Sequence, residues 1–236
     1  MIPPLAYSSL KRNVKDKKDS RIIYLLYEGK NTEPLFIEPF IMNSNYFNSN
    51  RSISFRKMKK TESDIGVTNL PQLVELAKGF KSKNKSFRKG HDKIIIFFDL
   101  DVYKNEQVGI NELLSLKDND IIYCYTNPSI ELFLLLTIKR SYELTIEPDK
   151  QKIIDNDFVN GKRYINYLFY EKTGIDSKSA KGEVSSLSNN FETAILQEKI
   201  YINHFLDKAG GELTSNIGYV FEKIKNNDFA INYLSE

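Results

Sequence analysis

Apolar residues in this chain recur with two spacings, and over the first 146 residues the two alternate. RIIYLLY (21–27) is almost continuously apolar, the pattern of a strand buried on both faces. After the turn EGKN, the segment TEPLFIEPFIMNS reads as a helix, with Thr32 able to cap it and Glu33 and Pro34 in its first turn. Pro39 falls where an internal N–H is needed and is expected to kink or break that helix. RSISFRKM (51–58) predicts a second strand, LPQLVELAKGFKSK (70–83) an amphipathic helix and DKIIIFFD (92–99) a third strand. NEQVGINELLSLK (105–117) predicts a helix and DIIYCYT (120–126) a fourth strand; PSIELFLLLTIKRS (128–141) predicts a helix with Pro128 at its first position.

Strands alternating with helices over about 120 residues imply an α/β fold, with a mostly parallel four-stranded sheet flanked by helices over 21–146. From residue 147 the strand pattern fades. QKIIDNDFVNG, KRYINYLFYEKTG and LSNNFETAILQEKIYINHFLDKAGG carry apolar residues at helical spacing, so 147–236 is expected to be a helical region packed on the sheet or covering it. Residues 1–20, polar, basic and carrying Pro3 and Pro4, are expected to form a separate arm.

Composition narrows the chemistry more than the fold. With 41% hydrophobic and 28% charged residues the chain is that of a folded, water-soluble protein rather than a disordered one. Its formal charge of +3 does not by itself indicate nucleic acid, although basic residues gather in KRNVKDKK (11–18), RKMKK (56–60) and KSKNKSFRK (81–89). Cys124 is the single cysteine, which excludes an internal disulfide and suits a reducing cytoplasm. No apolar run approaches membrane-spanning length, so a cytoplasmic location without membrane contact is expected. Two histidines, His91 and His204, leave too few ligands for zinc and few bases for a serine or cysteine nucleophile. Any chemistry rests on carboxylates and lysines.

The acids fall where an open α/β sheet binds ligands, beyond the carboxyl ends of its strands. Glu28 follows the first strand, Glu33 opens the next helix, Asp99 and Asp101 end the third strand, and Glu131 lies in the first turn after the fourth. Side chains two apart in a strand point the same way, so Asp99 and Asp101 repel each other unless a cation lies between them. Such carboxylates make the donor set of a hard cation, Mg²⁺ or Mn²⁺. Each has a blander role: Glu-Gly is a common turn, Asp-x-Asp is common in loops, and Glu33 and Glu131 each suit the positive end of a helix.

LLYEGKNTEPLFIEPF, IIFFDLD and TNPSIELFLLLTI, in that order, resemble the RloB-like family, whose Toprim fold is shared with topoisomerases, primases and nucleases of the overcoming-lysogenization-defect type. The chain departs from that family at Ile130, where a bulkier or aromatic residue is usual, and at Thr137, often a histidine. The resemblance implies a Toprim-like, Rossmann-like domain and Mg²⁺-dependent cleavage of phosphodiester bonds, with Mn²⁺ as a substitute ion. By it, Glu28 is the general acid or base; Asp99 and Asp101, with Glu28, Glu33 and Glu131, hold metal. Lys30, Lys178 or Lys181 is a phosphate-contacting lysine. It further implies a role in antiphage defence or abortive infection, a nucleic-acid substrate, an ATPase partner encoded nearby and scope for a homodimer.

DSKSAKGEVSS (176–186) reads as a mobile basic loop and lacks the spacing of a P-loop, and no Gly-rich nucleotide loop occurs elsewhere. Two other readings stay open: a non-catalytic Toprim-like module that binds nucleic acid or an ATPase, and nucleotidyl transfer as in primases, which lacks a visible template-binding zinc segment. Nothing in the basic clusters separates RNA from DNA.

Overall fold

A strand that is apolar on both faces has to be covered on both, and β1 (Arg21–Tyr27) is covered by two different sets of helices. A computed structural model of the chain describes residues 20–43, 45–47, 52–58, 60, 69–101, 118–179 and 181–235. The helix expected over 105–117, and all of the expected arm but Ser20, lie outside them. β2 (Ile53–Lys57), β3 (Lys93–Asp99) and β4 (Ile121–Asn127) join β1 in parallel, and a two-residue β7 (Thr214–Ser215) closes the edge antiparallel to β4. The order is β2-β1-β3-β4-β7. Pairing of Tyr27 with Phe97 and of Asp99 with Thr126 brings the carboxyl ends of β1, β3 and β4 to one rim.

The helices are α1 (Thr32–Asn43), α2 (Leu70–Lys83), α3 (Ile130–Leu135), α4 (Lys150–Asp155), α5 (Tyr164–Thr173), α6 (Lys181–Leu187), α7 (Phe191–Tyr201) and α8 (Ile217–Lys225). Ile23, Leu25 and Tyr27, with Ile95, Phe97, Ile122 and Cys124, face a core filled from α1, α3, α5, α7 and α8. Tyr24, Leu26, Ile94, Ile96 and Phe98 face α2 through Leu70, Leu73, Val74 and Ala77. In the first core the ring of Phe191 stacks on Phe40 with centroids 3.7 Å apart and on Phe36 at 5.1 Å. Among the described residues no helix is long and apolar enough to cross a membrane.

Several local expectations change. The sheet has five strands, not four, and the segment after residue 147 is not purely helical: it supplies β7 and an antiparallel ribbon of β5 (Phe158–Val159) and β6 (Lys162–Arg163). Helix α1 continues through Pro39; burial of Phe36, Ile37 and Phe40 in the main core offsets the backbone bond that proline removes. Thr32 does not cap it: its hydroxyl donates to the Ser177 carbonyl at 3.1 Å, while the Asn31 carbonyl accepts the Leu35 N–H at 2.9 Å.

The expected single helix over 128–141 stops at Leu135, and a π-helical turn follows at Tyr142–Ile146. Gln197 of α7 supplies the reason. Its amide donates to the carbonyls of Leu136 and Ile138, at 2.6 and 2.8 Å, and accepts the Tyr142 N–H at 3.1 Å. Backbone groups that a continuous helix would pair internally are thereby satisfied from a neighbouring one. Pro128 precedes the helix instead of opening it, and Ile130 is the first helical residue.

The C-terminal segment is attached to β4 by side-chain bonds that imitate a strand. Asn216 accepts the Tyr125 N–H at 2.8 Å and donates to the Tyr123 carbonyl at 2.9 Å. One residue later α8 begins, and its first N–H groups point at the buried carboxylate of Glu198 from α7, 3.0 Å from the Tyr219 N–H. Gly218 permits this approach, since a Cβ there would lie 3.1 Å from the Ile195 Cα and 3.2 Å from the Glu198 Cδ. Burial raises the Glu198 carboxyl to about 8, against the pull of the Ser215 hydroxyl and the N–H groups of Tyr219, Gly218 and Ile217. Replacing Glu198 by alanine leaves these donors unpaired and is expected to cost roughly 2–4 kcal/mol in urea unfolding. Glu192→Ala, at an exposed position of the same helix, is expected to change stability by less than about 0.5 kcal/mol. Equal effects of the two substitutions would contradict the capping role.

Candidate metal centre

The carboxyl rim is built from strand ends that put like charges side by side. Glu28 is the residue after β1, and its Oε2 accepts the backbone N–H of Asp99 at 3.0 Å, while its own N–H donates to the Phe97 carbonyl. That pair of bonds fixes the end of β1 against the end of β3. Asp99 turns Oδ1 toward β4 and α3, accepting from the Thr126 hydroxyl and the Ile130 N–H, each at 2.9 Å. Asp101 is held by its N–H on the Pro128 carbonyl at 3.0 Å, beside a cis Asn127–Pro128 peptide.

Glu33, in the first turn of α1, folds back so that Oε1 accepts the Gly29 N–H at 3.1 Å. This explains the glycine after Glu28, because a Cβ at position 29 would lie 2.7 Å from that Oε1. Glu131, only 3% exposed, accepts from two hydroxyls: Ser129 Oγ on Oε2 at 2.5 Å and Ser177 Oγ on Oε1 at 2.6 Å.

Electrostatics ties the five acids into one group. Burial, opposed by the Asp99 N–H and reinforced by Glu33 and Asp101, raises Glu28 from 4.5 to about 7. Burial also raises Glu33, with Glu131 adding to the effect, and lifts Asp99 well above the usual carboxylate range, reinforced by Glu33, Glu131, Asp101 and Glu28. Lys60, just beyond β2, opposes the shift at Glu28 and Glu33 and donates to the Glu28 carbonyl at 3.1 Å.

All-oxygen donors of this charge fit a hard divalent cation in kind. Their arrangement is different from a ready ligand set: among the described residues, no group of three or more His, Cys, Asp or Glu side chains is gathered around one point. Glu28, Glu33, Asp99 and Glu131 each have an oxygen held by an N–H or hydroxyl donor.

Of the three candidate lysines, Lys30 is exposed in the turn after Glu28, and Lys178 is exposed beside Ser177. Lys181 opens α6. In the segment 176–186, expected as a mobile loop, Ser177 is tied to Glu131 and Thr32, and the residues from Lys181 onward are helical. Sequence reasoning missed Ser177, Ser129, Thr126 and Lys60 as neighbours of the acids. Lys60 did stand in a basic run, but hydroxyls paired to carboxylates across 27 or 46 residues leave no local pattern to read.

The rim therefore combines a glutamate after the first strand, an Asp-x-Asp after the third and an Asn-Pro-x-x-Glu after the fourth. A family model described as RloB-like protein matches residues 23–224, a span that takes in all three segments and most of the C-terminal helices. No curated protein and no solved structure matches the chain. By that match, which extends from β1 into α8, the chain belongs to the RloB-like family.

Proposed function

We propose that this chain is a Mg²⁺- or Mn²⁺-dependent nuclease of the Toprim type, cutting phosphodiester bonds of RNA or DNA in antiphage defence with an ATPase partner encoded nearby. The observation that carries this reading is the pairing of Glu28 with Asp99 at adjacent strand ends, where burial, reinforced by Glu33 and Asp101, raises the Glu28 carboxyl to about 7. A carboxyl poised near neutrality can give or take a proton at working pH. Because Glu28 Oε2 is held by the Asp99 N–H, that exchange falls to Oε1. Asp99 would hold an ion through Oδ2, its other oxygen being engaged by Thr126 and Ile130, with Asp101 and Glu33 as neighbours. A divalent ion, when bound, polarises a phosphate and lowers the pKa of water beside it. Lys30 and Lys178 are exposed, which supports a role for them in meeting the nucleic-acid backbone, and Lys181 follows Lys178 by three residues.

A second reading, a non-catalytic module that binds nucleic acid or the ATPase, is favoured by the absence of a gathered three-ligand set among the described residues. Calorimetry with Mn²⁺ separates the two: the nuclease reading expects binding that Asp99→Ala abolishes.

Purified with its ATPase neighbour, the wild-type chain is expected to cleave DNA or tRNA only with Mg²⁺ or Mn²⁺, and Asp99→Ala and Glu28→Ala are each expected to lose roughly 100-fold or more. Equal cleavage by wild type and Asp99→Ala would end the metal assignment.

Stability offers an independent check. A carboxyl raised from 4.5 to about 7 binds its proton more tightly in the folded chain than in the unfolded one. Its contribution to stability is therefore full at low pH and is lost as pH climbs through about 7. In chelator, the melting temperature of wild type is expected to fall between about pH 5 and about pH 8, and Glu28→Gln to flatten part of that fall. An unchanged slope in Glu28→Gln would refute the burial-driven shift.

A further inference from the structure

The tail that follows α8 returns to β4 and leaves a cavity of about 510 Å³ against that strand. Lys93, Asp118 and Asn119 line it from the amino ends of β3 and β4, at the opposite end of the sheet from the acidic rim. Its other walls carry the rings of Phe98, Tyr123, Phe229 and Tyr233. The walls are held in place. The Tyr233 hydroxyl accepts the Tyr123 N–H at 3.0 Å, and its carbonyl accepts the Leu206 N–H at 2.8 Å. The guanidinium carbon of Arg21 lies 3.7 Å from the centre of the Phe229 ring. Cavities of roughly 300–1,000 Å³ with mostly apolar walls and a few convergent polar groups are the kind that hold small molecules.

The polar groups narrow the class of molecule. Lys93 is buried, and its ammonium donates to the Asn119 carbonyl at 2.6 Å and to Asp120 Oδ1 at 3.3 Å. Among the described residues its third N–H has no partner. Asp118 spends Oδ1 on the Lys81 ammonium at 2.6 Å and the Asp120 N–H at 2.9 Å, and no donor among the described residues takes Oδ2. One cavity therefore offers a spare donor and a spare acceptor. Charge there is balanced: Lys81 pairs with both Asp118 and Asp120, and Lys93 pairs with Asp120. A phosphate would meet two carboxylates for two ammonium groups and gain no net attraction. A neutral, planar ring carrying a donor beside an acceptor uses every feature. The Tyr123 and Tyr233 rings, with centroids 5.9 Å apart and planes at 65°, let such a ring stack on one while meeting the edge of the other.

We propose that this cavity binds a free nucleoside through its base, guanine above the others, with the base edge between Lys93 Nζ and Asp118 Oδ2. Guanine presents O6 to a donor and its N–H groups to an acceptor along one edge. The site is separate from the acidic rim and does not depend on an ion there.

The test is calorimetry on the full chain in chelator, with guanosine, adenosine, guanosine monophosphate, a guanine-containing trinucleotide and indole as probes. Guanosine is expected to bind roughly tenfold or more tightly than adenosine, whose edge puts an amino group where O6 meets Lys93. The monophosphate and the trinucleotide are expected to bind no more tightly than guanosine. Lys93→Met, which keeps the apolar stem, and Asp118→Asn are each expected to weaken guanosine roughly tenfold and leave indole unchanged. Ala230→Trp, at an exposed position of the lining, is expected to fill the cavity and abolish binding of both while the chain stays folded. No guanosine binding by wild type, or undiminished binding by Ala230→Trp, would overturn the site. Indole bound as tightly as guanosine would reduce it to an apolar void, and tighter binding of the monophosphate or the trinucleotide would overturn the assignment to a free nucleoside.

Discussion

Burial of acids at one end of a parallel sheet, reinforced by their repulsion of one another, is the constraint around which this rim is arranged. The parallel pairing of β1, β3 and β4 brings Glu28, Asp99, Asp101 and Glu131 to the same rim. α1 then adds Glu33. In water such a group would spread apart. Here the backbone N–H groups of Gly29, Asp99 and Ile130 and the hydroxyls of Thr126, Ser129 and Ser177 hold individual oxygens in place. These donors come from the strand ends and loops themselves, so the register of the sheet and the placement of the acids are one problem rather than two.

The same constraint explains why the cluster sits on a stiff base. Phe36 and Phe40 of α1 stack against Phe191 of α7, and α7 in turn presents Glu198 to the start of α8. Displacing Glu33 would mean moving a helix wedged into the main core. Lys60 supplies a positive charge on the β2 side, opposing the shifts at Glu28 and Glu33. Charge separation at the rim is thus resisted by packing and softened by a nearby cation, and neither device removes the strain on the acids.

How much of this could be read from the sequence depends on how local each signal is. The apolar runs at 21–27, 92–99 and 120–126 announced β1, β3 and β4, because strands buried on both faces need no partner to reveal them. Glu28, Glu33, Asp99, Asp101 and Glu131 were visible for the same reason, each following an element whose end was clear. β7 was not legible. Two residues carry no periodicity, and the pairing of Asn216 with β4 is made by a side chain. The break after Leu135 was hidden too, since it depends on Gln197, whose amide meets backbone some 60 positions earlier in a chain that reads as unbroken helix. Pro39 misled in the opposite direction: local propensity favoured a break, and burial of the helix outweighed it.

The covering of β4 by Thr214, Ser215 and Asn216 also fixes an order of events during synthesis. Until residue 216 has been made, the polar groups along the outer edge of this wholly buried strand have no strand or amide from that segment beside them, though the rest of the parallel sheet is already available. A nascent chain stalled or cut between α3 and α7 would present that edge to other chains, as an unpaired strand does in aggregation. Closure of that edge waits on residues that lie far along the chain from β4.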